Sequence, residues 1–482
     1  MKRRAVWLAG LLLLAALCRC AFPMNAVPAA DETVPEETGG SGETGSSVET
    51  GSPGATGSFV EAGSLVENGA DRSVFIRPDP PEIPGLRYKE SMRLFHADQF
   101  SVDYYEGGYK YLSVRDTGDF LLVPEGGELP AMKGPEGGES PAAKGPEGGE
   151  PPAVKEPEGG ELPAVKGPED GRLSGEASGY TVLYQPLDSI YLAATSAMDF
   201  FDCLEKVDRV TLSCEEAGKW ESDKANKALE EGRMVYAGRY SAPDYEKIVS
   251  RGCDLALEST MIYHKPEVKE MLEKFGIPVL VEHSSYESDP LGRSEWIRFY
   301  GALLNCEEEA DGLFAQMEEK VKQVLEKTSG SGEASEEKSS GKLVAFFNIN
   351  QQGLVTVRKA KDYVPAMIEL AGGRYVFSDL YGEEENALST VNLQMEEFYA
   401  KAKDSDYLIY NSTIAGAIHS VDELLDKGPL LKDFRAVQEG NVWCTTQSLF
   451  QKPTGLADLI VDISRMLSGD RDGDYSYLYH VD

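Results

Sequence analysis

The stretch from Met234 to His283, MVYAGRYSAPDYEKIVSRGCDLALESTMIYHKPEVKEMLEKFGIPVLVEH, decides the fold. Short apolar runs (MVYAG, CDLALE, IPVLVEH) alternate with polar helical stretches (PDYEKIVSRG, KPEVKEMLEKFG), each closed by a glycine. Strand and helix alternating at this pitch, with strands apolar on both faces, predict a parallel sheet covered by helices on either side. Upstream, TVLYQPLDSIYLAA (181–194), VTLS and the helices SAMDFFDCLEKV and ESDKANKALEEG extend the same pattern.

Downstream the alternation breaks. From Glu307 to Lys327, apolar residues fall at 310, 313, 314, 317, 321, 324 and 325, one stripe of a long amphipathic helix. The alternation then resumes through KLVAFFNI, LVTVR, YVPAMIELAGG, RYVFS, LQMEEFYAKAK, DYLIYNS, DELLDKGPLLKDF, NVWCTTQS and LADLIVDISRMLSG. The halves echo each other: PDYEKIVSRGCDLALEST matches LQMEEFYAKAKDSDYLIYNST, and KFGIPVLVEHSS matches QEGNVWCTTQS. The expectation is an α/β protein of two Rossmann-like lobes with central parallel sheets, joined by a single long α-helix.

The rest of the 482 residues divides by composition. Lys2, Arg3 and Arg4 precede the apolar run VWLAGLLLLAAL, the order of an export signal. The run ends at Cys18-Arg19-Cys20, where a lipoprotein signal would place its acylated cysteine. Leu17, three residues ahead, favours Cys20 over Cys18; an ordinary cleaved signal is the alternative. The expected organisation is a signal at 1–20, a Gly/Ser/Glu-rich tether at 21–72 that buries too little apolar surface to order itself, and a β-rich lead-in at 73–123. A Pro/Gly/Glu-rich insertion at 124–175 repeats PEGGELPAMKG-like units every eleven residues. The N-terminal lobe is placed at 176–300, the interlobe helix at 301–328, a loop at 329–341 and the C-terminal lobe at 342–482.

A formal net charge of −35 argues against general affinity for nucleic acid or anionic lipid headgroups. Five histidines leave little material for a His-rich metal site, and His264, His283 and His419 are not spaced as a cluster. No resident metal or cofactor is expected. Cys203, Cys214, Cys253, Cys306 and Cys444 match no zinc spacing and form no CxxC; buried free thiols are the expected reading, most of all for Cys253 and Cys444. The chain carries no GxSxG, HExxH, GxxxxGK[ST] or contextual GxGxxG, so no enzyme is expected.

From about Tyr180 to Ser468 the chain resembles the solute-binding proteins of iron-siderophore, haem and cobalamin ABC importers. YAGRYSAPDYEKIVSRGCDLALES is similar to that family's glycine, Pro-x-x-Glu-x-Ile helix and Asp-Leu strand, and MIELAGGRYVF to its second-lobe helix, Gly-Gly and strand. The stretch STMIYHKPEVKEMLEKFGIPVLVEHSSYESDPLGRSEWIRFYG resembles a branch found among anaerobic Firmicutes. The resemblance covers about three-fifths of the chain and implies the class with a rigid interlobe helix. It implies a lipid-anchored protein outside the cytoplasmic membrane, holding a ferric siderophore, haem or corrinoid between its lobes for an ABC transporter permease dimer. The runner-up classes are an exported ligand-sensing or surface adhesion protein and an exported enzyme of unknown chemistry.

Ligands on open parallel sheets sit at the carboxyl ends of the strands. Those ends give the candidate ligand-binding residues Arg239, Tyr240, Ser259, Thr260, Tyr263, His264, Ser285, Tyr286 and Arg293 in the first lobe. Asn350, Arg358, Asn411, Gln447 and Phe450 are the candidates in the second. Tyrosines offer flat contact and arginines suit carboxylate or catecholate oxygens, although Ser-Thr pairs at strand ends also cap helices. The resemblance further implies a permease-docking glutamate on each lobe, at Glu246 and Glu396.

Overall fold

The structure, a computed structural model, describes residues 79–130, 179–330, 341–381 and 390–482. The signal, Cys20, the tether and most of the eleven-residue repeats therefore lie outside the described residues, as do 331–340 of the loop at 329–341. All described residues belong to one unit, Ser73–Asp482.

The lead-in is a five-stranded sheet: β1 (Tyr88–Ser91), β2 (Phe100–Tyr105), β3 (Lys110–Val114), β4 (Gly118–Val123) and β5 (Thr181–Tyr184), in that spatial order. β1 to β4 form an antiparallel meander, and β5 joins β4 in parallel. The repeat segment thus interrupts one sheet: Thr181–Tyr184, read from sequence as part of the first lobe, pairs with the lead-in instead.

The first lobe holds β6 (Ile190–Leu192), β7 (Val210–Ser213), β8 (Val235–Tyr236), the small hairpin β9 (Gly238–Arg239) and β10 (Ala242–Pro243), β11 (Leu255–Ser259) and β12 (Val279–Glu282). Its main sheet has the order β12-β11-β6-β7-β8, parallel throughout. Four helices flank it: α1 (Met198–Cys203), α2 (Asp223–Glu230), α3 (Tyr245–Ser250) and α4 (Pro266–Lys274). Gly238 allows the hairpin. Its φ is +85°, and a Cβ there would lie 2.5 Å from the Ala242 carbonyl oxygen.

Two helices follow, α5 (Pro290–Leu304) and α6 (Glu307–Gly330). Asp289 caps α5 by accepting from the Leu291 amide, and left-handed Asn305 (φ 56°) ends it. The long helix therefore starts at Glu307, and 301–306, expected to open it, closes a preceding helix and turns. The chain doubles back tightly because position 301 is glycine: a Cβ there would approach the Ala310 Cβ to 2.6 Å. At 1.5 Å per residue, the 24 residues of α6 run about 36 Å. Ala310, Phe314, Met317, Val321 and Val324 on its stripe are buried, with Leu313 and Leu325 partly so.

The second lobe has β13 (Leu343–Ile349), β14 (Val355–Arg358), β15 (Arg374–Tyr375), β16 (Thr390–Leu393), β17 (Tyr407–Tyr410), β18 (Val442–Thr445) and β19 (Leu478–His480). The order is β16-β14-β13-β17-β18-β19, with β15 also beside β13. β13, β15, β17 and β18 are parallel; β14 and β19 run against them, and edge strand β16, antiparallel to β14, returns to their direction. Its helices are α7 (Tyr363–Leu370), α8 (Met395–Ala402), α9 (Ser412–Ala415), α10 (Val421–Lys427), α11 (Arg435–Gln438) and α12 (Leu456–Leu467). One large apolar core joins the lead-in, both lobes, α5 and α6, and a small second cluster around Ile83, Tyr105, Tyr111 and Leu121 lies on the lead-in sheet.

Two buried carboxylates weld the lead-in to α5. Glu295 accepts from the backbone amides of Phe95, His96 (2.8 Å) and Ala97 (2.8 Å), and pairs with Arg298 at 2.9 Å. Glu287 accepts from the amides of Asp98 and Gln99 and from the Trp296 indole. Among the described residues no helix is long and apolar enough to cross a membrane, and all five cysteines there are free.

Candidate functional site

The chain beyond the carboxyl ends of β6 and β12 in the first lobe meets the chain beyond β14 and β18 in the second, and the gap between these two contacts is the candidate site. Both flanks of the gap are direct lobe-to-lobe contacts. On the β18 flank, the buried carboxylate of Asp199 accepts from the Thr454 amide (2.9 Å) and hydroxyl (2.5 Å), and pairs with Lys452 at 3.3 Å. Gln451 donates to the Lys219 carbonyl and accepts from the Glu221 amide. Burial raises the Asp199 carboxyl, against the pull of Thr454 and Lys452.

On the β12 flank, the Arg293 guanidinium lies 3.7 Å over the ring of Tyr363. The same ring takes Arg358 from the second lobe at 5.7 Å. Arg293 donates to the backbone carbonyls of Ser285 and Glu287 (3.0 Å for the latter), so it ties a first-lobe loop to a second-lobe tyrosine. Arg358 pairs with buried Asp362 at 3.4 Å. Burial pulls the Arg293 guanidinium down from its ordinary value, with Tyr363 and Asp362 opposing. Arg358 is also disfavoured by burial, but Tyr363 and Asp362 outweigh it and raise the group. Buried Glu282 accepts from the Ser284 amide at 2.9 Å, and its carboxyl is raised by desolvation.

Next to this flank stands an aromatic group. His283, directly after β12, is buried; its ring stacks on Tyr286 with centroids 4.6 Å apart and planes 10° apart. Its Nε2 meets the Tyr263 hydroxyl at 3.3 Å. Its Nδ1 is buried with no hydrogen-bond partner. Burial depresses the imidazole, with only Asp116 opposing; the ring is neutral. Tyr263 and Met261, just after β11, are 48% and 46% exposed, and Ile414 of α9 is 65% exposed. Two guanidinium groups thus converge on Tyr363, close to the Tyr263–His283–Tyr286 rings. Among the described residues no group of three or more His, Cys, Asp or Glu could hold a metal ion.

No family model matches the chain. An uncharacterized lipoprotein of Methanocaldococcus jannaschii is 27% identical over 254 residues, 52% of this chain and 56% of that protein. An uncharacterized protein of the same organism is 23% identical over 46% of this chain and 63% of its own length. The chain thus spans less than two thirds of these curated relatives. Among solved structures, a periplasmic binding protein from Veillonella parvula superposes with a TM-score of 0.47 at 15% identity, covering 59% of this chain and 92% of its own. A periplasmic haem-binding protein from Pseudomonas aeruginosa gives 0.46 at 14% identity over 61% and 98%. The petrobactin-binding protein of Bacillus subtilis gives 0.45 at 14% identity over 59% and 93%.

The residues singled out from the sequence fall into three groups. Arg293, Arg358, Tyr263, Tyr286 and Ser285 come together at or beside the β12 flank. Ser259 and Thr260 end β11 partly exposed, and Ser259 makes no capping bond although it stands at a helix start. Arg239 is exposed on the β9–β10 hairpin, Tyr240 packs partly on the core, and His264 and Gln447 are exposed. Asn350 and Asn411 are different: their side-chain oxygens are engaged locally. Asn350 accepts from the Gln352 and Leu354 amides in the β13–β14 turn; Asn411 accepts from the amide and hydroxyl of Thr413 at the start of α9. Lys452 is drawn to Asp199. Phe450 lies in the 447–451 turn, and its side chain is outside the described residues. Glu246 and Glu396 are exposed in the first turns of α3 and α8. The sequence reading missed Tyr363, Asp362 and Glu282. Only the fold brings Tyr363 to Arg293, 70 residues away, although the Arg358–Asp362 spacing was a readable signal.

Proposed function

We propose that the chain is a solute-binding protein that captures a small ligand between its lobes and delivers it to an ABC transporter permease. The carrying observation is that the chain beyond the strand ends of one lobe meets the chain beyond the strand ends of the other at two places, with α5 and α6 packed against α7 and α12. Guanidinium groups at Arg293 and Arg358 with rings at Tyr263 and Tyr286 suit a ligand with anionic oxygens and a flat or apolar face. A ferric siderophore, haem or corrinoid meets that description. Haem- and petrobactin-binding proteins among the structural neighbours, and a lipoprotein among the sequence relatives, agree with an exported protein of this kind. Anchoring through acylated Cys20 belongs to the same reading.

Thermal melting against a ferric catecholate chelate, haemin and cobalamin tests the ligand class. One of them is expected to raise the melting temperature, and Arg358→Ala to weaken that binding at least tenfold. Tight binding of a sugar or an amino acid instead would overturn the choice. The docking role of Glu246 and Glu396 is tested by their double alanine variant. It should bind ligand normally and fail in uptake; uptake at the wild-type rate removes the role.

A further inference from the structure

His96 lies between β1 and β2 of the lead-in, with both ring nitrogens turned toward carboxylates of other elements. Its Nδ1 is 3.1 Å from Oδ2 of Asp289, the residue that caps α5, and its Nε2 is 3.5 Å from Oε1 of Glu318 on α6. The other Asp289 oxygen accepts from the Leu291 amide, so the cap orients the carboxylate for the ring. Phe314, one turn before Glu318 on the same face of α6, meets the imidazole edge-on at 6.1 Å. The His96 side chain is only 25% exposed and that of Asp289 15%. The other charged groups packed here are already engaged. Arg298 of α5 pairs with Glu295 at 2.9 Å and with Asp311 of α6 at 2.6 Å. Glu287 holds the Asp98 and Gln99 amides, and Arg93 lies 5.1 Å over the Phe95 ring.

A neutral imidazole has one N–H and one lone pair. It can donate to only one of two carboxylates and sets its lone pair against the other, whereas the imidazolium donates to both. We infer that His96 is a protonation-dependent clasp: its imidazolium, held between Asp289 at the α5 cap and Glu318 of α6, fastens the lead-in to both helices, and loss of the proton slackens it. Burial disfavours the charged ring, but Asp289, Glu295 and Glu318 outweigh it and raise the imidazole above its ordinary value. The clasp's contribution to stability is therefore fully present below the unfolded value near 6.5 and is lost as pH rises through the folded one. Glu295 holds the same segment by its backbone amides, so the clasp adds to the attachment and is not the whole of it. The Glu287 carboxyl, pushed up to about 8 by burial, titrates nearby; it is common to wild type and His96 variant and cancels in their difference.

The full chain labelled with ring-13C histidine offers five imidazoles to follow by NMR between about pH 5 and pH 9. The His96 signal is the one lost in His96→Gln, and its through-space contact with Phe314 identifies it independently. Its midpoint is expected above 6.5 in wild type and lower in both Asp289→Asn and Glu318→Gln. Asparagine still caps a helix, and Glu318 is partly exposed, so both changes remove charge with little effect on packing. Urea unfolding gives a second readout: wild type should lose ground to His96→Gln as pH rises through the NMR midpoint. A midpoint at or below 6.5, or a stability difference that stays flat across it, overturns the clasp. A midpoint that moves in only one of the two carboxylate variants overturns the two-sided arrangement.

Discussion

Glu258 sits one residue from the end of β11, fully buried, and neither carboxyl oxygen has a hydrogen-bond partner. Burial alone raises its carboxyl well above the ordinary value, so the folded protein favours its protonated form. The unfolded chain ionises it near pH 4.3. Its contribution is therefore fully present below that pH and is lost as pH rises toward the folded value. Across that window the folded state binds one more proton than the unfolded state, a loss of about 1.4 kcal/mol per pH unit. Glu258→Gln keeps shape and polarity but cannot ionise. Urea unfolding of wild type and variant at pH 5, 6, 7 and 8 isolates the effect, because other titrating groups cancel in the difference. The variant should gain on wild type with each step in pH. Parallel stability–pH curves, or a variant that loses ground as pH rises, would refute the assignment.

Three further outcomes follow from the packing. Glu295→Ala removes the buried carboxylate that accepts from three backbone amides and pairs with Arg298, and should cost about 3–5 kcal/mol in urea unfolding; a loss below about 1 kcal/mol would mean the lead-in is not welded through this carboxylate. Gly301→Ala should destabilise by about 1–3 kcal/mol through overpacking against Ala310, and Ala310→Gly in the same chain should restore much of it; an unchanged melting temperature contradicts the tight α5–α6 turn. Deleting 131–172 should leave melting temperature and ligand affinity nearly unchanged, because roughly fifteen remaining residues can span the length of β4 from its end to the start of β5. A clear loss of either would show that the repeats support the fold.

Much of the architecture was legible in the residues, because alternation and periodicity are local properties of the chain. The β8, β11 and β12 runs lie within 234–283, and the 310–325 stripe marks α6. Strand direction was less legible. KLVAFFNI and LVTVR read as successive parallel strands, but the Asn350 side chain closes a turn between them and β14 returns antiparallel. The stripe began at Glu307, as α6 does, but the 301–328 span given to the interlobe helix ran into the end of α5, which is buried nearly all round and so lacks the polar face that marks a boundary. The site was legible only as strand ends. Arg293 and Arg358 could be named from position, but their convergence on Tyr363 joins elements from different lobes, and no local pattern encodes that. The same holds for Glu258, an acidic residue in an apolar strand whose isolation depends on every neighbour packed around it. Local sequence determined which segments became strands and helices; desolvation and long-range packing decided which charges face one another.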